Sequence, residues 1–257
     1  MTDPVPSARR RVLLAVALVL AGVLGYGVGA LAPFVFRPPL VLGQDAVSSP
    51  ESRSARVSLE EAGGPALVVR PAVGDGRVLL VLYPGGLVRP QAYEWLGRAL
   101  AAQGVQTVVP GFAADLAVLD SGRAGVLIER YAAGRPVVLA GHSLGGAMAA
   151  GWASEHPDEL AGLVLMAAYP ADGVRVEAPF GVLSLLAEND LVADGQRVRA
   201  GLGQLPPGSR LAEVPGAVHS FFGRYGPQSG DGTPTVSRAE AEAVIVAEMS
   251  GYLANVG

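Results

Sequence analysis

A chain of 257 residues that is half apolar and only 16% charged can bury one substantial core, enough for a single catalytic-sized domain. Its net charge of −4, with no basic stripe beyond the extreme N-terminus, lacks the electrostatic footprint of a nucleic-acid binder and suits a small neutral or apolar partner. Cysteine is absent and all 19 basic residues are arginine, which excludes thiolate nucleophiles, disulfides, Cys–zinc and iron–sulfur sites, Schiff-base lysines and Walker-type phosphate loops. Covalent chemistry is left to Ser, Thr, Tyr, His or a carboxylate. With three histidines, His142, His156 and His219, a histidine-rich metal site is not expected, and no cofactor is implied.

Residues 12–36 are uncharged and mostly apolar, directly after Arg9, Arg10 and Arg11. As a helix rising ~1.5 Å per residue, the stretch exceeds a hydrocarbon core of ~30 Å. The arginines favour a cytoplasmic N-terminus (1–11), a single-pass transmembrane anchor (12–36) and a catalytic domain on the extracytoplasmic side of the cell membrane. The alternative is a secreted protein released by signal cleavage after Ala30-Leu31-Ala32, although Pro33 would then open the mature chain. Residues 37–55, with Pro38-Pro39 and Ser48-Ser49-Pro50, read as a linker, leaving 56–257 as the domain.

Within that domain, 56–60 and 66–70 form a β-hairpin turned at Gly63-Gly64. The run RVLLVLY (77–83) is continuously apolar, as a strand buried on both faces requires. A helix over 90–103 stops at Gly104, and 105–109 is a strand. There follow a helix over 122–133, a strand PVVLA at 136–140, a helix over 145–156 and a strand over 160–167. The pattern closes with a strand over 180–187, a helix over 194–202, a strand over 210–214 and a helix over 237–253. Buried strands alternating with helices imply an α/β three-layer sandwich, its sheet mostly parallel with an antiparallel N-terminal hairpin.

Gly141-His142-Ser143-Leu144-Gly145 matches G-x-S-x-G, a pattern that a chain with 35 glycines can produce by composition alone. Its context carries the weight. The motif directly follows a buried strand and directly precedes a helix, so a sharp turn would present the Ser143 hydroxyl at the sheet edge, with the Leu144 N–H and the helix N-terminus facing developing negative charge.

On these residues the chain resembles the α/β-hydrolase superfamily, and is most similar to its small bacterial serine esterase-like and dienelactone-hydrolase-like members without a large cap domain. The resemblance spans roughly 56–253. It implies a catalytic triad in the chain order Ser, acid, His. His219, alone in a loop after the last strand, takes the role of base. His142 neighbours the serine and His156 ends a helix before Pro157. Asp190, just beyond the strand ending near Ala187, is the acid of choice, with Glu188 the fallback and Asp194 a helix cap. For the oxyanion hole, Tyr83-Pro84-Gly85-Gly86-Leu87 lies where the resembled family carries its His-Gly-type loop, with proline in place of that histidine. Gly86 is the first choice of second donor and Leu87 the next, beside Leu144.

Only a short loop fits between Tyr169 and Phe180, so an open site is expected. A glycine-rich loop at 221–235 follows the base, and Tyr83, His142, Phe221, Tyr225 and Asp231 are candidates for lining the pocket. The leading reading is a carboxylesterase-like serine hydrolase. The others are acyl transfer through the same triad and a catalytically idle binding domain that retains the fold.

Overall fold

The computed structural model describes residues 8–35 and 50–256, in two units. The first is a helix, α1 (Ala8–Val35), whose window Leu13–Ala30 has a mean hydropathy of 2.2. By length and composition it is able to cross a membrane. The helix covers all of the expected anchor except Phe36, which lies outside the described residues, as do 1–7 of the basic segment and 37–49 of the linker. The end of that linker departs from expectation: Pro50–Arg53 form a short helix, α2, entered through a proline whose missing N–H has no role in a first turn.

The second unit opens with the hairpin β1 (Arg56–Glu61) and β2 (Pro65–Arg70), turned through Gly63 and Gly64 at φ 70° and 140°. Then come β3 (Val78–Tyr83), α3 (Glu94–Ala101), β4 (Val105–Pro110), α4 (Arg123–Tyr131) and β5 (Val137–His142). These are followed by α5 (Leu144–Glu155), β6 (Gly162–Met166), β7 (Val182–Ala187), α6 (Gly195–Gly201), β8 (Arg210–Val214) and α7 (Arg238–Ala254). The last helix starts on a capping box in which Ser237 and Glu240 satisfy each other's backbone N–H groups.

The eight strands form one sheet in the order β1-β2-β4-β3-β5-β6-β7-β8, antiparallel across β1, β2 and β4 and parallel elsewhere. Alternation along β3 divides the core. Val78, Leu80 and Leu82 pack with Trp95 and Leu96 of α3 and with Ile245 and Met249 of α7. Leu79, Val81 and Tyr83 pack with Leu127 of α4 and with Ala149, Trp152 and Ala153 of α5. Each fully buried leucine contributes ~1.5–3 kcal/mol, so covering both faces is what makes the sandwich stable. The exposed edge β1 is protected by charge: Glu60 bonds Arg70 at 2.6 Å, and that partner, helped by Ser58 and Tyr131, lowers the carboxyl to about 2.

One expected helix is divided. Residues 90–93 make a 3-10 turn and the α-helix begins only at Glu94, with Tyr93 at φ −110° and ψ 4° between them and its side chain fully buried. Short 3-10 turns also occupy 113–115 and 117–119, a stretch in which the sequence carries no helical period. In the sheet register Tyr83 faces Gly141 and His142 faces Met166. The carboxyl ends of β3, β5, β6 and β7 therefore share one edge, where open α/β sheets place their ligands.

Candidate active site

Ser143 joins β5 to α5 with φ 52° and ψ −123°, in the left-handed region that costs a non-glycine residue on the order of 1–3 kcal/mol. Two features hold it there. Its own N–H donates to the Met166 carbonyl at 2.9 Å, and helix and strand close tightly behind it. A Cβ on Gly145 would lie 2.2 Å from the Pro84 carbonyl oxygen, so only glycine lets α5 start so near the end of β3. The strain is thus imposed by packing, and it sets the Ser143 side chain at the shared sheet edge.

His219 begins a 3-10 turn (His219–Phe222) after β8, and its Nδ1 lies 2.8 Å from Asp190 Oδ2. Both side chains are almost fully buried. The other carboxylate oxygen, Asp190 Oδ1, accepts the N–H groups of Val192 at 2.9 Å and Ala193 at 2.8 Å. Both acceptor oxygens of Asp190 are therefore occupied. Its neighbours serve elsewhere. Glu188 accepts the Gly216 N–H at 2.7 Å, and Asp194 caps α6 through the N–H groups of Gln196 and Arg197. His156 stacks on Trp152 with its Nδ1 near the Trp152 carbonyl, at the far end of α5.

His142 is buried in a network that sequence spacing does not reveal. Gly85 N–H donates to Tyr93 Oη at 2.8 Å, so the Tyr93 O–H is turned to donate to His142 Nδ1, also at 2.8 Å. That assigns the imidazole proton to Nε2, which lies against the His219 backbone without an aligned hydrogen bond. The two imidazole rings are 4.6 Å apart, with Phe222 and Tyr225 completing the packing around His142. Burial, and then the proximity of His219, hold the His142 pKa well below 6.5, so this ring is neutral in the folded protein.

The stability consequence has a definite sign. An unfolded histidine takes up a proton below about 6.5 while folded His142 does not, so its contribution is complete above that pH and is lost as pH falls. Urea unfolding of the detergent-solubilised chain is expected to show a loss of about 1.4 kcal/mol per pH unit below pH 6 from this residue. A His142→Gln variant should lack that component. Equal pH slopes for variant and wild type would contradict it.

At the candidate oxyanion hole, Leu144 is the first residue of α5, so its N–H has no partner within the helix. Leu87, at φ 62°, commits its N–H to the Asp115 carbonyl at 2.8 Å and is thereby withdrawn as a donor. Gly85 N–H is taken by Tyr93, which leaves Gly86, whose α-carbon faces the Leu144 side chain.

Beside Ser143 opens a cleft of about 380 Å³, walled by Leu144, Ala147, Ala167, Ala168 and Ala171 and rimmed by Tyr169, Val192 and Ala193. At its mouth Arg197 pairs with Asp172 at 2.8 Å and lies over the Tyr169 ring. None of Tyr83, His142, Phe221, Tyr225 and Asp231 lines it. Tyr83 is a buried tie, accepting the Ala124 N–H and donating to the Ser121 carbonyl. Phe221 packs into the core under Arg238, Tyr225 donates to Gln228, and Asp231 binds backbone N–H groups beside His219. His142, Phe221, Tyr225 and Asp231 cluster around His219, and Tyr83 lies on the opposite face of the sheet against α4. The cleft is instead formed by the start of α5 with the loops after β6 and β7 and Arg197 of α6, where the alanines carry no sequence signal. No helix or strand interrupts 167–181, so this segment contributes no cap domain over the cleft.

A mostly parallel three-layer sandwich with a serine strained into a strand-to-helix elbow defines the class. The chain belongs to the alpha/beta hydrolase family, whose model matches residues 79–243. Solved structures of similar fold include a dienelactone hydrolase from Anabaena variabilis, 17% identical over 79% of this chain and 97% of its own, with a TM-score of 0.59. Est1E from Butyrivibrio proteoclasticus is 13% identical over 78% and 99%, with a TM-score of 0.57. A soluble variant of monoglyceride lipase from Saccharomyces cerevisiae, in complex with a substrate analog, is 14% identical over 84% and 97%, with a TM-score of 0.57. No curated protein matches the chain in sequence.

Proposed function

We propose that this protein is a serine hydrolase of carboxylic esters, carried on α1 as a single-pass membrane anchor with its catalytic domain (56–257) on the extracytoplasmic side. The observation that supports it most is the conjunction of Ser143 at φ 52° with a buried His219–Asp190 hydrogen bond of 2.8 Å at the same sheet edge. Asp190 fixes the proton on Nδ1 and leaves Nε2 as the basic nitrogen.

In the acylation step Ser143 Oγ forms a bond to the acyl carbon while its proton passes to His219 Nε2. The carbonyl π electrons move onto oxygen, and the oxyanion is met by the N–H groups of Leu144 and Gly86. Collapse breaks the bond to the alcohol, which leaves with the His219 proton. Water then repeats the sequence, giving up a proton to His219 and releasing the acid while Ser143 regains its hydrogen. The apolar walls at Ala147, Ala167 and Ala168 suit an uncharged acyl group, and the absence of a cap in 167–181 leaves water access for the second step.

A panel of p-nitrophenyl esters graded in acyl length tests the reading. Turnover of at least one ester, falling off as acyl length outgrows the cleft, is expected. A folded protein that turns over no ester at all overturns it.

A further inference from the structure

Asp231 makes contacts that the chemistry above does not use. Its Oδ1 accepts the N–H groups of His219 at 3.0 Å and Gly232 at 2.8 Å, and its Oδ2 accepts the Ser220 N–H at 2.9 Å. His219 and Ser220 open the 3-10 turn, where backbone donors have no partner within the turn. One carboxylate therefore satisfies both and fixes the backbone from which the imidazole projects.

The same loop presses on the acid. A Cβ on Gly232 would lie 1.8 Å from the Asn189 carbonyl oxygen, so the residue after Asp231 is packed directly against the residue before Asp190. Two more links run alongside: Thr235 N–H donates to the Gly216 carbonyl at 2.9 Å, and Asn189 N–H to the Ala217 carbonyl at 2.8 Å. The far end is fastened by Arg224, which pairs with Glu242 of α7 at 2.6 Å.

We propose that Asp231 is the positioning residue of the base: it anchors the His219 backbone and, through Gly232 against Asn189, sets that anchor at a fixed distance from the Asp190 loop. This rests on the reading of Ser143, Asp190 and His219 as a triad. An imidazole rotates about two side-chain bonds, so the single bond to Asp190 orients the ring only if the His219 backbone is itself held. A displacement of ~1 Å at a reacting group costs on the order of 10²-fold in rate. The glycine-rich loop is accordingly a buckle joining acid and base, and it forms no wall of the substrate cleft.

The test uses the full chain in detergent. Asp231→Ala removes all three acceptor contacts and is expected to lower kcat on the best ester by about 10²-fold with KM nearly unchanged. Asp231→Asn retains an oxygen for His219 and Gly232 but turns an amide donor towards Ser220 N–H, so an intermediate loss is expected. It also carries the test if the alanine variant does not fold. Gln228→Ala, which breaks the loop's own bond to Tyr225, should keep the wild-type kcat.

Imidazole ¹⁵N spectra supply a readout that loss of stability alone would not move, and with three histidines the signals are few. His219 should be a single Nδ1-protonated tautomer in the wild type and a mixture in Asp231→Ala. Folded Asp231 variants with wild-type kcat and an unchanged His219 signal would overturn the proposal, as would a Gln228→Ala loss equal to that of Asp231→Ala. Should wild-type Ser143 prove unreactive, it is the triad reading that fails, and the His219 spectrum still decides the role of Asp231.

Discussion

Replacing Ser143 by alanine is expected to lower ester turnover by about 10⁶-fold, the loss that follows removal of a triad nucleophile. The other polar residues lining the cleft beside it are Tyr169, Asp172 and Arg197; Asp172 is tied to Arg197 at 2.8 Å at the mouth, and the chain contains no cysteine to take over the attack. The fold should tolerate the change. Alanine at φ 52° bears the same backbone strain as serine, and Gly145 still admits the start of α5. Comparison of kcat, together with the midpoint of thermal unfolding, checks both statements. An unchanged midpoint with residual turnover within tenfold of wild type would remove Ser143 from the chemistry.

Asp190→Asn is expected to cost about 10⁴-fold in kcat. Asparagine keeps an oxygen for the Val192 and Ala193 N–H groups, so the loop after β7 should hold its shape. Its amide nitrogen, however, would face His219 Nδ1 with a donor where the carboxylate offered an acceptor. The ring then settles in the other tautomer, with the proton on Nε2, and can no longer accept one from Ser143. Glu188→Gln provides the contrast, because Glu188 holds the Gly216 N–H and makes no bond to His219. Steady-state kinetics on both variants should show a large kcat loss in the first and a small one in the second. Equal losses would mean that the acid is misassigned.

Much of the fold was legible because its signals are local. RVLLVLY and PVVLA are short, continuous apolar runs with β-branched valines, as strands covered on both faces are, and the observed β3 and β5 overlap those runs. The grouping of Ser143, Asp190 and His219 was an expectation of the family resemblance, and the parallel sheet brings the strand ends that precede them to one edge. What stayed hidden depends on contacts far apart in sequence. Tyr93 meets His142 across 49 positions, and it sits at the break in a helix that spacing alone would run continuously. Asp231 was a candidate for lining the pocket because it follows His219 in a glycine-rich loop, and its oxygens accept backbone N–H groups. Leu87, the second choice of donor after Gly86, gives its N–H to the Asp115 carbonyl. Backbone partners of this kind leave no trace in residue type.

Under the proposed chemistry Ser143 is a nucleophile activated by His219. Reaction of the folded chain with a fluorophosphonate, followed by peptide mass spectrometry, tests it most directly. We predict a single adduct on the Ser143 peptide, absent from Ser143→Ala and formed far more slowly in Asp190→Asn. A folded wild-type protein that takes no label, or one whose label persists elsewhere in Ser143→Ala, would contradict the account.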